Sequence, residues 1–196
     1  MTKFQTYLLE SKDVLYRYLK HPIQEIKHLP DWSWEHLLLF HTAVTAATGC
    51  LGGIFYKSPF SILTQSIIMP IFTFILIMVS CFFFYYSFQI FAQKSVPFRQ
   101  LFQTVLFANI PFFIFQIGST YLPILTMMGL AFTALLLIVA FVEKFGIQKK
   151  TVMRLILGLY IIFFIIWLMQ HLDGSRLDKD WQKSKASDAP EVKLGE

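Results

Sequence analysis

Charged residues are scarce in this sequence of 196 residues, where Asp, Glu, Lys and Arg together make up 15%. A soluble domain of this size carries about a quarter of such residues. Cysteine is scarcer still, because Cys50 and Cys81 are the only two, and they do not form a C-x-x-C pair. A membrane thiol oxidoreductase needs paired, accessible thiols with a lowered pKa. The composition therefore argues against an ordinary soluble domain and against thiol redox chemistry.

Motifs of known catalytic and nucleotide-binding centres are also missing: there is no Walker loop, G-x-G-x-x-G, H-E-x-x-H or G-x-S-x-G. His36 and His41 come nearest to a metal-binding pair. A five-residue step rotates ~140° around a helix, so these two side chains do not share a face. Lys and Arg are scattered among the polar segments without an aromatic-interleaved patch. We predict no catalytic residue, no cofactor, no metal site and no nucleic-acid partner, and we rank an enzyme last.

Five long apolar runs dominate what is present, since 56% of the residues are hydrophobic. Each run is near the ~17–25 residues that a helix needs to cross a bilayer, and none has an interior Asp, Glu or Lys. The short alternating strands of a membrane barrel are not seen. The runs lie at residues 37–55, 70–91, 101–117, 121–142 and 152–169. We therefore predict an all-α, polytopic integral membrane protein with five transmembrane helices.

Polar segments flank the predicted five-helix domain, which we place at residues 34–170. Residues 1–33 are predicted to form a cytoplasmic amphipathic segment. Within it, residues 3–21 contain apolar and aromatic side chains at three- and four-residue steps with Lys and Arg opposite, which is typical of an amphipathic helix in the membrane interface. A helix packed on the base of the bundle is the alternative. His21 and Pro22 should end this helix. Residues 171–196 are too poor in apolar residues to build a core, and we expect a polar, flexible tail.

The distribution of basic residues predicts the orientation. Ten Lys and Arg side chains fall before the first run, between the second and third, and between the fourth and fifth, whereas Lys57 alone lies in the first of the other two loops. The positive-inside rule then places the N-terminus in the cytoplasm and, after five spans, the C-terminus outside. The first run has no cleavable signal before it and should act as its own insertion signal. We expect the protein in the cytoplasmic (inner) membrane.

The first run carries small residues at helical spacing, with Thr45, Gly49 and Gly53 four residues apart. Small residues let two helix backbones approach closely, and in lipid this packing replaces the hydrophobic drive. The pattern predicts a helix–helix contact and leaves open whether the partner is in the same chain, in a second copy or in another membrane protein.

Two prolines bear on the helices of the second and third runs. Residues 62–91 would be too long for one untilted span, so Pro70 either begins the spanning part or lies inside one long tilted helix. Pro111 removes the hydrogen bond to the Phe107 carbonyl, and Asn109 beside it is expected to satisfy the freed backbone or to line a site. Intramembrane polar residues are the candidates for ligand binding. They are His41, Gln89, Asn109 and Gln116.

Several local patterns resemble the Yip (Ypt-interacting protein) family in a bacterial-type version, over roughly residues 8–170. They are YLKHP at 18–22, VPFRQLF at 96–102, NIP at 109–111 and VEKFGI at 142–147, the last followed by a basic pair and the final run. The resemblance implies a five-span membrane fold. Eukaryotic members are implicated in vesicle trafficking, membrane shaping and binding of prenylated Rab-type GTPases. Their D-L-Y-G-P stretch is replaced here by HLPDWSW at 28–34, and this departure argues against GTPase binding.

Two functional hypotheses follow. The first is a non-enzymatic scaffold or membrane-organising factor, partnered by membrane lipids and by itself or another membrane protein. The second is a small transporter or lipid-translocating subunit that uses the third run, with its proline and its amide side chains.

Overall fold

A computed structural model describes residues 3–54, 59–119 and 121–187, with the backbone alone for Phe4 and for 170–187. All regular structure in these residues is helical. The helices are α1 (Lys3–Lys20), α2 (Pro22–Glu25), α3 (Trp34–Ile54), α4 (Pro59–Phe91), α5 (Phe98–Ala108), α6 (Ile110–Gly118), α7 (Ile124–Glu143) and α8 (Lys149–Ser187). Lys57 and residues 188–196, which entered the sequence predictions, lie outside the described residues.

Five helical segments are long and apolar enough to cross a membrane, and they coincide with the five predicted runs. These segments are α3, α4, α5 together with α6, α7, and α8 as far as Met169. The prediction of an all-α fold with five helices long and apolar enough to span a membrane is thereby confirmed. Helix α1 also forms where an amphipathic helix was predicted, and it ends at Lys20, before His21 and Pro22.

Helix α4 runs for 33 residues with Pro70 in its interior. The alternative in which Pro70 begins the spanning part is therefore wrong, and one long helix is the arrangement that forms. A helix that ended at Pro70 would leave several backbone groups unpaired in apolar surroundings. This would cost more free energy than the single hydrogen bond that proline removes.

The third run is divided into α5 and α6 at Asn109, which has φ −84° and ψ −5°. Pro111 lies in the first turn of α6, where a missing N–H is tolerated. The predicted local break at this proline is therefore present.

The chain divides into two units, residues 1–157 and 158–196. Unit 1 is centred on α5, in which every residue from Leu101 to Ala108 is buried. Helices α3, α4 and α7 pack around it. This short buried helix, which carries Gln103 and Thr104 among apolar side chains, positions the candidate site.

Unit 2 is the continuation of α8 from Gly158, and its backbone stays helical to Ser187. The segment for which we predicted a polar tail therefore begins as helix. Its flexibility stays a prediction.

Candidate functional site

A buried cluster, which we call the docking cluster, joins α1 to the rest of unit 1. Its members are Ser11, Tyr18, Trp32, His36 and Phe107, each less than 9% exposed. Ser11 and Tyr18 come from the buried strip of α1, on which residues 7, 11, 14 and 18 share one face because they recur at steps of three and four. The other members come from α3, from α5 and from the segment before α3.

His36 is the attachment point on α3. Its ring lies between two nearly parallel aromatic rings, with centroid distances of 4.5 Å to Tyr7 and 3.9 Å to Trp32. Its Nε2 is 2.8 Å from the Ser11 Oγ. The Trp32 Nε1–H donates to the Glu10 carboxylate at 2.8 Å. Three side chains of α1 therefore contact the beginning of α3 through one stack of rings and its hydrogen bonds.

Tyr18 makes the second attachment, and it does so at the proline break. Pro111 has no N–H, so the carbonyl of Phe107 lacks the donor four residues on, and a backbone N–H at the end of α5 bonds it instead. The Tyr18 hydroxyl donates to this carbonyl at 2.8 Å, and its ring packs edge-on against the Phe107 ring with centroids 5.3 Å apart. Burial raises the pKa of Tyr18, which keeps the hydroxyl protonated and able to donate.

The expectation that Asn109 satisfies the freed carbonyl is corrected by this geometry. The Asn109 side-chain amide donates instead to the carbonyl of Val105, at 2.8 Å. An asparagine beside the break reaches back one turn along its own helix more easily than it reaches the carbonyl two residues before it. The side chain that bonds the Phe107 carbonyl at the break is therefore Tyr18 of α1, not Asn109.

Charged and polar contacts attach the segment between α1 and α3 to α5 and α7. Arg99 and Asp31 form an ion pair at 2.6 Å, and Gln103 donates its side-chain amide to the Pro30 carbonyl at 2.6 Å. Lys27, just after α2, pairs with Glu143 at the end of α7 at 2.7 Å. The whole N-terminal segment is thus attached to α3, α5 and α7.

Lys144 directly follows Glu143, the acidic partner of Lys27 in this ion pair. Burial lowers its pKa to about 8, and Asp31 opposes the shift by its negative charge. Its Nζ approaches the Thr104 hydroxyl at 3.4 Å. Lys144 is therefore a half-buried cation whose charge titrates near neutral pH.

The glycines predicted for helix packing lie against α4 of the same chain. A Cβ on Gly49 would come within 2.5 Å of the Gln65 carbonyl oxygen, and one on Gly53 within 2.6 Å of the Ile62 Cα. Thr45, on the same face, is buried and donates to the His41 carbonyl at 2.7 Å. The question of the partner helix, which the sequence left open, is answered by α4.

The four polar candidates for ligand binding do not converge on one site. The His41 Nε2 lies 3.2 Å from the Thr73 Oγ1 on α4, and Asn109 bonds within α5. Gln89 is exposed on α4. The side-chain oxygen of Gln116 is buried with no hydrogen-bond partner among the described residues. Each residue therefore belongs to a different environment.

His41 lines a groove of about 640 Å³ between α3 and α4. The other lining residues are Leu38, Thr42, Ser66, Ile67, Pro70, Ile71, Phe74 and Ile75. The groove is mostly apolar, and His41, Thr42 and Ser66 give it a few polar groups. No group of three or more metal-ligating side chains occurs in the part of the chain that the structure describes.

Sequence reasoning missed the docking cluster, although one signal for it was present. The strip formed by residues 7, 11, 14 and 18 of α1 is aromatic or small, unlike the leucine-rich remainder of the helix. That strip indicates a packing face, but it does not name the partners His36 and Phe107.

In comparisons with known proteins, no family model, no curated protein and no solved structure matches the chain. The function is therefore inferred from the contacts described above.

Proposed function

We propose that the protein is a non-enzymatic membrane scaffold or organising factor of the Yip type. In this proposal it lies in the cytoplasmic membrane with its N-terminus in the cytoplasm and its C-terminus outside. The excess of basic residues in the N-terminal segment and in the second and fourth loops supports the orientation. The sequence patterns shared with the Yip family support the class.

One observation carries the proposal: α1 is fastened to the bundle by its buried strip and leaves its opposite face exposed. Ser11 and Tyr18 are buried in the docking cluster, whereas Leu9 and Tyr16 are 50% and 60% exposed. An enzyme or carrier concentrates polar groups in a cavity. The buried polar groups of the docking cluster instead join α1 to α3 and α5, which is what a rigid platform for a surface helix requires.

The proposal is tested with the purified full-length protein in liposomes. We expect electron cryomicroscopy to show altered vesicle curvature or clustering at rising protein density, and native mass spectrometry to show a self-dimer or a stoichiometric partner. The Tyr18→Ala variant, which removes one attachment of α1, should lose the vesicle effect. Tyr86→Ala is the matched control, because Tyr86 is 56% exposed on α4 and lies outside both α1 and the docking cluster. Unaltered vesicles together with a monomeric, partner-free protein would refute the proposal.

Lipid translocation is the second candidate, and the groove beside His41 is the observation that favours it. A translocating subunit would scramble fluorescent lipids between leaflets, which dithionite quenching measures. His41→Leu should then reduce scrambling while Gln89→Leu, an exposed substitution on α4, does not. The break at Pro111 no longer supports this candidate, since Tyr18 closes it. Absence of scrambling by the folded protein would exclude the candidate.

A further inference from the structure

The exposed side of α1 forms a single continuous face. Positions 8, 9, 12, 15, 16, 19 and 20 recur at the spacing of one helix face, and five of the seven are Leu or Tyr. Four of these apolar side chains are well exposed, with Leu8 at 43%, Leu9 at 50%, Tyr16 at 60% and Leu19 at 52%. We call these seven residues the outer face. It lies on the opposite side of the helix from Ser11 and Tyr18.

The charges on the outer face have one sign. Lys12 and Lys20 are both exposed, and the Lys20 Nζ lies 4.4 Å from the centre of the Tyr16 ring. Of the two acids of α1, Glu10 lies off this face and is engaged by the Trp32 side chain. Asp13 is exposed and borders the face, four residues after Leu9 and three before Tyr16. The outer face is therefore an apolar surface with two cations, bordered by one anion.

We propose that the outer face binds the surface of an anionic lipid bilayer. Leucine and tyrosine side chains would enter the boundary between headgroups and acyl chains, and the two lysines would pair with phosphate groups. An acidic protein surface could use the cations, but four apolar side chains at this exposure fit the bilayer boundary better. The proposal rests on the proposed function, because it assumes that the bundle holds α1 at the membrane surface.

Hydrogen–deuterium exchange of the full-length protein in nanodiscs tests the proposal. The two preparations contain phosphatidylcholine alone or phosphatidylcholine with phosphatidylglycerol. A lysine near an anionic leaflet gains about fivefold in binding. We therefore expect amide protection in α1 to be about 25-fold higher in the anionic discs, about fivefold higher for Lys12→Gln, and nearly equal in the two lipids for Lys12→Gln/Lys20→Gln.

Controls separate charge recognition from loss of folding. Lys149→Gln/Lys150→Gln makes the same charge change at the start of α8 and should leave the lipid dependence of α1 intact. Protection of Leu101 to Ala108 in the same samples reports whether unit 1 is folded. For the unmodified protein, 1 M salt should remove most of the lipid difference, because the Debye length falls to about 3 Å.

Two outcomes would overturn the proposal. One is equal protection of α1 in both lipids, and the other is protection that follows protein concentration and not lipid charge, which would assign the outer face to a second copy. Vesicle shape, measured on the same protein, tests the proposed function separately. Lipid-dependent protection in a monomeric, partner-free protein that leaves vesicles unaltered supports the lipid surface and refutes the organising role. Vesicle reshaping without lipid-dependent protection refutes the lipid surface alone.

Discussion

Replacing Tyr18 with phenylalanine removes one hydroxyl from the interior of the protein and preserves the aromatic ring. The ring keeps its edge-on packing against Phe107, but the Phe107 carbonyl loses the donor that lies 2.8 Å away. A backbone N–H at the end of α5 still bonds this carbonyl, but Pro111 has no N–H with which α6 could replace the lost donor. The substitution therefore removes one of two hydrogen bonds to a buried acceptor.

The expected cost follows from that lost bond. One intramolecular hydrogen bond contributes a net free energy of about 0.5–1.5 kcal/mol. For a chain of this size each kcal/mol lowers the melting temperature by about 2–4 °C. Tyr16→Phe is the matched control, since Tyr16 is 60% exposed and outside the docking cluster. Its effect should stay within about 0.5 kcal/mol.

A double-mutant cycle tests the cause of the loss. Pro111→Ala supplies an N–H that can bond the Phe107 carbonyl within the helix, so Tyr18→Phe should cost less in that background. We expect a coupling free energy of about 0.5–1 kcal/mol, measured by unfolding of the four proteins in the same detergent micelles. If Tyr18→Phe is as stable as the unmodified protein, or if its cost is the same with Pro111→Ala, the account of the break is wrong.

Three further outcomes are expected. Gly49→Leu should abolish the folded state, as measured by size-exclusion chromatography, because a Cβ at this position meets the backbone of α4. Gly52→Leu should be tolerated, since nothing lies within 4 Å of a Cβ there. Equal behaviour of the two variants would contradict the packing of α3 on α4. The folded pKa of Lys144 is about 8 against an ordinary 10.5, so the unfolded chain binds more protons between these values and stability should rise with pH across that window. Lys144→Gln should flatten this rise in melting temperature, and an unchanged slope would assign it to another group. Gln116→Leu should raise the melting temperature by removing an unpartnered buried oxygen; a fall would show that the oxygen has a partner.

The membrane fold was predictable because hydropathy is a local property. Each span is recognised from its own residues, without reference to the others. Their boundaries were less predictable: α4 begins at Pro59, well before Pro70, because helix continuity in apolar surroundings outweighs one lost hydrogen bond. The small-residue pattern at Gly49 and Gly53 predicted a close contact, but the partner helix required the structure.

The docking cluster could not be predicted from the sequence, for a different reason. Tyr18 and Phe107 are 89 positions apart, and their contact depends on how three helices meet. The sequence showed an acceptor freed by Pro111 and offered Asn109 as the nearest donor. Nearness along the chain proved the wrong criterion, because the geometry of α5 directs that amide to Val105.

The bond between Tyr18 and Phe107 also fixes an order of events during synthesis. Helix α1 is made before its acceptor, which exists only once α5 has been made. Until then α1 can contact only the segment around Trp32 and His36. The docking of α1 is thus complete only when α5 has folded, and it marks the formation of the central helix pair.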